Sequence, residues 1–390
     1  MAALASVLVV GGGPARTWAS DATPVADASV VRIEAADDDL ADAAARHVEA
    51  MSLRERAASV VMGHIPTTDP SALRAYMETQ GLGGFILMGA NIPADEGSLR
   101  GLTAALTLDP AFPPVLAIDQ EGGDVSRLPW DSFPSAVELK NAPPDATADA
   151  FAARAALVQR AGIGVNFGIV ADETDDPASF IFRRALGTSP SEAAARVTTA
   201  VAGEGYSAMS TLKHFPGHGA APGDSHAGIP ATSMSKTEWQ SADAVPFAAG
   251  IEAGAPLLMF GHLSYTAVDP RPASLSEEWH RIAREELGFR GVAVTDDLGM
   301  LQASGVDEFA DPVRNAVTAL AAGNDLVLAV MFSTPESATR IVDGIVAAVE
   351  SGELAPERLE EAATRVAALR VALAAAGRGL VPCDSCAPAE

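Results

Sequence analysis

Met209-Ser210-Thr211-Leu212-Lys213-His214-Phe215-Pro216-Gly217-His218-Gly219 carries the chain from an apolar, strand-like approach into a turn crowded with charged and aromatic side chains. Proline and glycine exclude a regular helix or a central strand over its second half. After a short Ala/Pro/Gly spacer comes Asp224-Ser225-His226, so three of the seven histidines fall in this one stretch. A shaped loop at the end of a rigid strand is how a scaffold presents reactive groups.

Working outward, seven more short apolar runs flank this one: Val60 to Gly63, Gly84 to Met88, Pro114 to Ile118, Gly164 to Val170, Pro256 to Phe260, Gly291 to Thr295 and Asp325 to Val330. Each pair of neighbours is separated by a segment long enough for a helix, such as Ser71 to Gln80, Ala146 to Ala161 or Ser191 to Gly203. Parallel strands require such crossovers, because a tight hairpin cannot join them. The fold class is therefore α/β, with the eight strands closing into a (β/α)8 TIM-type barrel in a single domain. A doubly wound open sheet is the alternative, but it calls for a phosphate-cradling turn after its first strand. Gly11-Gly12-Gly13 has neither that spacing nor a helix after it.

Helical patterning begins near Asp42, and the domain closes on an amphipathic helix. Pro356 starts it, Leu359, Ala363, Val366 and Leu369 form its apolar stripe, and Gly377 stops it. Residues 47–377 are thus expected to form the barrel domain, with 1–46 a signal-like segment and flexible spacer and 378–390 a tail.

The 390 residues carry 51 acidic and 26 basic side chains, a formal charge of -25 that would repel nucleic acid and anionic membrane surfaces. No stretch reaches the roughly 18 to 20 apolar residues of a membrane span. Ala2 to Val10, followed by the glycines and Ala19-Ser20, has the form of a secretory signal without its basic start. Export or attachment to the cell envelope is expected on that ground, and a cytoplasmic protein otherwise. Cys383 and Cys386 stand in a proline-containing tail, where they suit a small disulfide or no role better than a zinc or redox site. The chain is expected to act as a monomer.

In a barrel of this kind chemistry sits at the C-terminal strand ends. Asp119 ends the third run, Lys213 and His214 the fifth, His262 the sixth, and Asp296 with Asp297 the seventh. Asn324 and Asp325 precede the eighth run, at the other face, and read as structural. Strand alternation sends only one of Asp296 and Asp297 into the barrel mouth without saying which, and either could cap the next helix. Asp224 and His226 are spaced so that the carboxylate can orient the imidazole and raise its proton affinity.

Lys-His-x-Pro-Gly-x-Gly, four residues, then Asp-Ser-His resembles the signature of the bacterial β-N-acetylglucosaminidases of glycoside hydrolase family 3. Two further stretches resemble that family in the expected order: Asp119-Gln120-Glu121-Gly122-Gly123 with Val125-Ser126-Arg127, and Thr295-Asp296-Asp297-Leu298-Gly299-Met300. The resemblance extends from about Met51 to Arg370. It implies a retaining exo-β-N-acetylglucosaminidase acting on a small carbohydrate, either cell-wall fragments or chitin oligosaccharides, with no cofactor and no metal. By the same resemblance Asp296 is the nucleophile and His226, held by Asp224, the acid/base. Asp119, Arg127, Arg184, Lys213 and His214 would hold the sugar. Phe182-Arg183-Arg184 departs from the family's Arg-Ser-aromatic pattern, which leaves Arg183 open as the contact. Asp124 stands where relatives carry a basic or neutral residue. Two-domain relatives borrow a carboxylate acid from their second domain; with no such domain expected here, the Asp224 and His226 loop has to supply the acid.

Three other readings compete. His214, His218, Asp224 and His226 could ligate zinc, but Pro216 and Gly217 break the helix that usually carries such ligands and Lys213 would set a positive charge beside the ion. A sugar-binding barrel without activity would lack some part of the machinery, whereas every part is present. A phosphorylase would use the same aspartate and histidine with phosphate in place of water, and the acidic chain disfavours that anion.

Overall fold

The computed structural model describes residues 28–205 and 207–377. The signal-like stretch, Cys383, Cys386 and the tail from 378 lie outside the described residues. The chain divides into two compact units, Met1–Asp39 and Leu40–Glu390. Of the first, only the beginning of helix Ala28–Glu49 is described, so this helix starts well before the patterning near Asp42. Alanine, the best helix former, recurs along it. The second unit holds everything below.

Eight parallel strands close into a barrel: β1 (Val61–Gly63), β2 (Gly84–Leu87), β3 (Val115–Ile118), β4 (Val165–Val170), β5 (Met209–Phe215), β6 (Leu257–Phe260), β7 (Val292–Asp297) and β8 (Leu326–Leu328). Each pairs with its neighbour in sequence, and β8 returns to β1 with Val327 opposite Val61. Every apolar run forms a strand, and the (β/α)8 expectation holds. Crossover helices start where the local chemistry says they should. Asp69 accepts the N–H of Ser71 ahead of Pro70–Gln80, and Asp311 that of Val313 ahead of Pro312–Ala322, each with proline in the first turn where its missing donor costs nothing.

Alternation along each strand sorts side chains into two cores. Met62, Ile86, Val115, Phe167, Leu257, Val292 and Val294 fill the barrel interior, while Ala293, Leu212 and Phe260 face the helices. The last helix, Pro356–Ala376, plugs the base of the barrel with Val366, Leu369 and Leu373. Asp325 anchors it there: its buried carboxylate pairs with Arg284 at 2.6 Å, Arg358 at 2.7 Å and Arg365 at 3.1 Å. Burying one acid is tolerable when it is surrounded by guanidinium donors, and this is the structural duty expected of a residue that precedes β8.

Candidate active site

A cavity of about 170 Å³ opens at the C-terminal end of the barrel, lined by Asp119, Glu121, Arg127, Arg184, Lys213, His214, His226 and Asp296, with Met259, Met300 and Leu328 at its apolar base. Seven of the eight residues singled out from sequence meet here; the eighth, Asp224, stands behind His226. Its Oδ1 lies 2.6 Å from His226 Nδ1 and also accepts the backbone N–H of His226 at 3.0 Å. Nε2 is left for whatever occupies the cavity. Both side chains are exposed, in a loop that arches out between Ala221 and Ala227.

Strand β5 extends to Phe215, so Lys213 and His214 belong to the strand itself. The Lys213–His214 and Phe215–Pro216 peptide bonds are cis. Lys213 Nζ is almost wholly buried and lies 2.9 Å from Asp119 Oδ1 and 2.6 Å from Glu121 Oε1. Glu121 also takes both arms of Arg184, at 2.9 and 2.7 Å. Burial opposes its ionisation, but the Lys213 ammonium and Arg184 guanidinium outweigh that and hold its pKa down to about 2. Arg127 donates to the other oxygen of Asp119 at 3.2 Å. His214 is fixed by Asp172, whose Oδ2 meets Nδ1 at 2.7 Å while Oδ1 accepts the backbone N–H groups of His214 and His218. The turn leaves no room for side chains at its glycines: a Cβ on Gly217 would sit 2.6 Å from Asp243, and one on Gly219 1.7 Å from the Glu173 carbonyl.

The two aspartates ending β7 part company. Val292 and Val294 point into the barrel and Asp296 shares their parity; both aspartates border the cavity, but their carboxylates are used differently. Asp297 turns to the backbone: Oδ1 accepts from Gly299 at 3.0 Å and Val330 at 2.8 Å, and Oδ2 from Met331 at 2.8 Å. Burial pushes the Asp297 carboxyl up to about 6, partly offset by those three N–H groups. Asp296 is held below the usual carboxylate range: burial works against this, but the His214 and His262 imidazoles, the Asp297 N–H and Lys213 prevail. His262, fully buried, bonds Ser274 Oγ at 2.7 Å and the Asp297 carbonyl at 2.8 Å, supporting the pair from behind.

The pattern of a glycosyl hydrolase family 3 N-terminal domain matches residues 52–369. The chain belongs to glycoside hydrolase family 3. This glycoside hydrolase is 34% identical over 249 residues to a β-hexosaminidase of Xanthomonas oryzae, an alignment covering 60% of this chain and 73% of that one. A β-N-acetylglucosaminidase structure from a Paenibacillus species superposes with a TM-score of 0.77 at 29% identity, over 83% of this chain and 63% of its own. A β-N-acetylhexosaminidase from Beutenbergia cavernae superposes with 0.70 at 28% identity, over 84% and 99% of the respective chains. Among the described residues no helix is long and apolar enough to cross a membrane, and no group of three or more His, Cys, Asp or Glu side chains could hold a metal ion.

Of the two adjacent arginines in the hydrolase, Arg184 reaches the cavity; Arg183 is exposed and pairs with Asp124 at 2.6 Å. Sequence reasoning passed over Glu121 and Asp172 as functional residues. Both had a signal: Glu121 stands in the quoted Asp-Gln-Glu-Gly-Gly run, and Asp172 follows β4 at the same end as the other strand-end acids.

Proposed function

We propose that the protein is a retaining exo-β-N-acetylglucosaminidase. The observation carrying this reading is the division of labour in β7: Asp297 is consumed by three backbone N–H groups, which leaves Asp296 as an ionised carboxylate in a cavity rimmed by His226. The names of the similar proteins supply the sugar class.

Asp296 attacks the anomeric carbon from below while His226 Nε2 gives its proton to the glycosidic oxygen. The imidazolium that precedes transfer is stabilised by Asp224 on Nδ1. Departure of the aglycone leaves a glycosyl ester on Asp296. Neutral His226 then takes a proton from water, and the hydroxide displaces the ester with a second inversion, so the β configuration is retained. Lys213, Arg184 and Asp119 offer two cations and one acceptor to the sugar hydroxyls, and the Lys213–Asp119 and Arg184–Glu121 pairs keep them fixed before substrate arrives.

Assay of the purified protein on an aryl β-N-acetylglucosaminide, with the product anomer followed by NMR and with phosphate present or absent, tests this reading. The expected first product is β-N-acetylglucosamine in both buffers. Initial release of the α anomer, or of a sugar 1-phosphate, would sink the hydrolytic retaining mechanism.

A further inference from the structure

Among the described residues, Phe332 is the most exposed large apolar side chain, at 64%, against 36% to 42% for Val137, Leu108 and Val306. It is also their only non-glycine residue with a positive φ, 59°. A bulky side chain is disfavoured in that region of the backbone map, so the surroundings must impose it. The surroundings are those of the active site. Phe332 follows β8, and the two residues before it, Val330 and Met331, line the catalytic cavity with their N–H groups fixed by Asp297. The N–H of Ser333 closes the turn onto the Val330 carbonyl at 3.1 Å. The carboxylate beside Asp296 thus also fixes the turn that bares this aromatic ring, one residue beyond the cavity lining.

An exposed phenyl face held by a fixed turn is available to stack on another flat apolar face. Beside it lies a separate, smaller pocket bordered by Gln302, Ser333 and Arg340, and Met331 lines both this pocket and the catalytic cavity. One aromatic face with amide, hydroxyl and guanidinium groups at its border suits a pyranose ring, whose apolar C–H face stacks while its hydroxyls bond at the edge. A single ring is too small a patch for a protein partner.

We propose that Phe332 is the stacking platform of an aglycone subsite, binding the neutral hexosamine or hexose ring that follows the scissile bond. This rests on the exo-glycosidase reading, since the cavity then holds one sugar and the next one emerges at its rim.

The test compares wild type, Phe332→Ala and Phe332→Trp on three probes. These are N,N′-diacetylchitobiose and its trisaccharide homologue, methyl β-N-acetylglucosaminide, whose aglycone cannot stack, and free N-acetylglucosamine as an inhibitor of the sugar cavity. The Phe332→Ala variant should raise KM for the oligosaccharides roughly tenfold with kcat nearly held. The methyl glycoside kcat/KM and the inhibition constant should stay within about twofold, and Phe332→Trp should keep the oligosaccharide KM low. No change on oligosaccharides, or an equal loss on the methyl glycoside, overturns the subsite. A wild-type protein that cleaves none of these substrates would instead refute the glycosidase reading and the subsite with it, a result distinguishable from the first two.

Discussion

Lys213 and Glu121 form a buried ion pair, Nζ to Oε1 at 2.6 Å, across the mouth of the barrel between β5 and the loop after β3. Neither charge is tolerable there alone, since an unpaired ion in that setting costs several kcal/mol. The pair and Arg184 set the geometry of the sugar cavity before any ligand binds. Replacing Glu121 by Gln leaves two cations short of a partner. The variant is expected to lose ~3 kcal/mol of stability and 10- to 100-fold or so in kcat/KM, mostly through KM; unchanged KM would show that the pair does not shape the site. Because the Glu121 pKa is pulled down to about 2 from 4.5, its stabilisation is complete above the ordinary value and disappears as pH falls through about 2.

Asp296→Ala should abolish turnover on any β-N-acetylglucosaminide, whereas His226→Ala should depend on the leaving group. An aryl group that departs as a stable phenolate needs no proton, so nitrophenyl substrates should lose ~10-fold and alkyl or sugar aglycones ~1,000-fold. Steady-state kinetics on a leaving-group series decides; a uniform loss would remove His226 from the acid role. The low Asp296 pKa predicts that no acid limb from this residue appears in kcat/KM at ordinary carboxylate pH.

Asp297→Asn is expected to act on stability first. Its carboxylate serves the N–H groups of Gly299, Val330 and Met331, and an amide presents a donor to at least one of them. Thermal melts should show a loss of ~2 kcal/mol, together with weaker binding of oligosaccharides through the loosened Met331 to Ser333 turn. A variant as stable as wild type would contradict the assignment of Asp297 as backbone anchor.

Glu204, the last residue of helix Pro190–Glu204, is fully buried, and among the described residues its side chain has a single hydrogen-bond donor, Asn166, and its second oxygen has no partner. Burial pushes its pKa up to about 8 despite Asn166, Arg154 and Lys213. The folded protein therefore keeps a proton that the unfolded chain releases near 4.5, and the associated stability, complete below that value, is lost as pH rises through about 8. Wild type should melt lower at pH 8.5 than at pH 5 relative to Glu204→Gln, by ~5 °C. Parallel pH profiles for the two proteins would disprove an ionising Glu204.

Sequence alone determined the barrel, because eight apolar runs spaced by helix-length segments have few other ways to hide their strands, and every run became a strand within a few residues. It also located the site, since charged residues clustered at one end of those strands and loop spacing brought Asp224 to His226. Contacts between segments distant in the chain were not legible. That Asp297 rather than Asp296 is taken up by backbone N–H groups depends on Val330 and Met331 arriving from β8 to claim it. That Arg184 rather than Arg183 serves the site depends on Glu121, 63 residues away. The strained turn that bares Phe332 belongs to the same class, for it exists only where β7 and β8 lie side by side. Local pattern fixes periodicity and turn chemistry; pairing of buried charges is decided by three-dimensional proximity, which no stretch of sequence carries by itself.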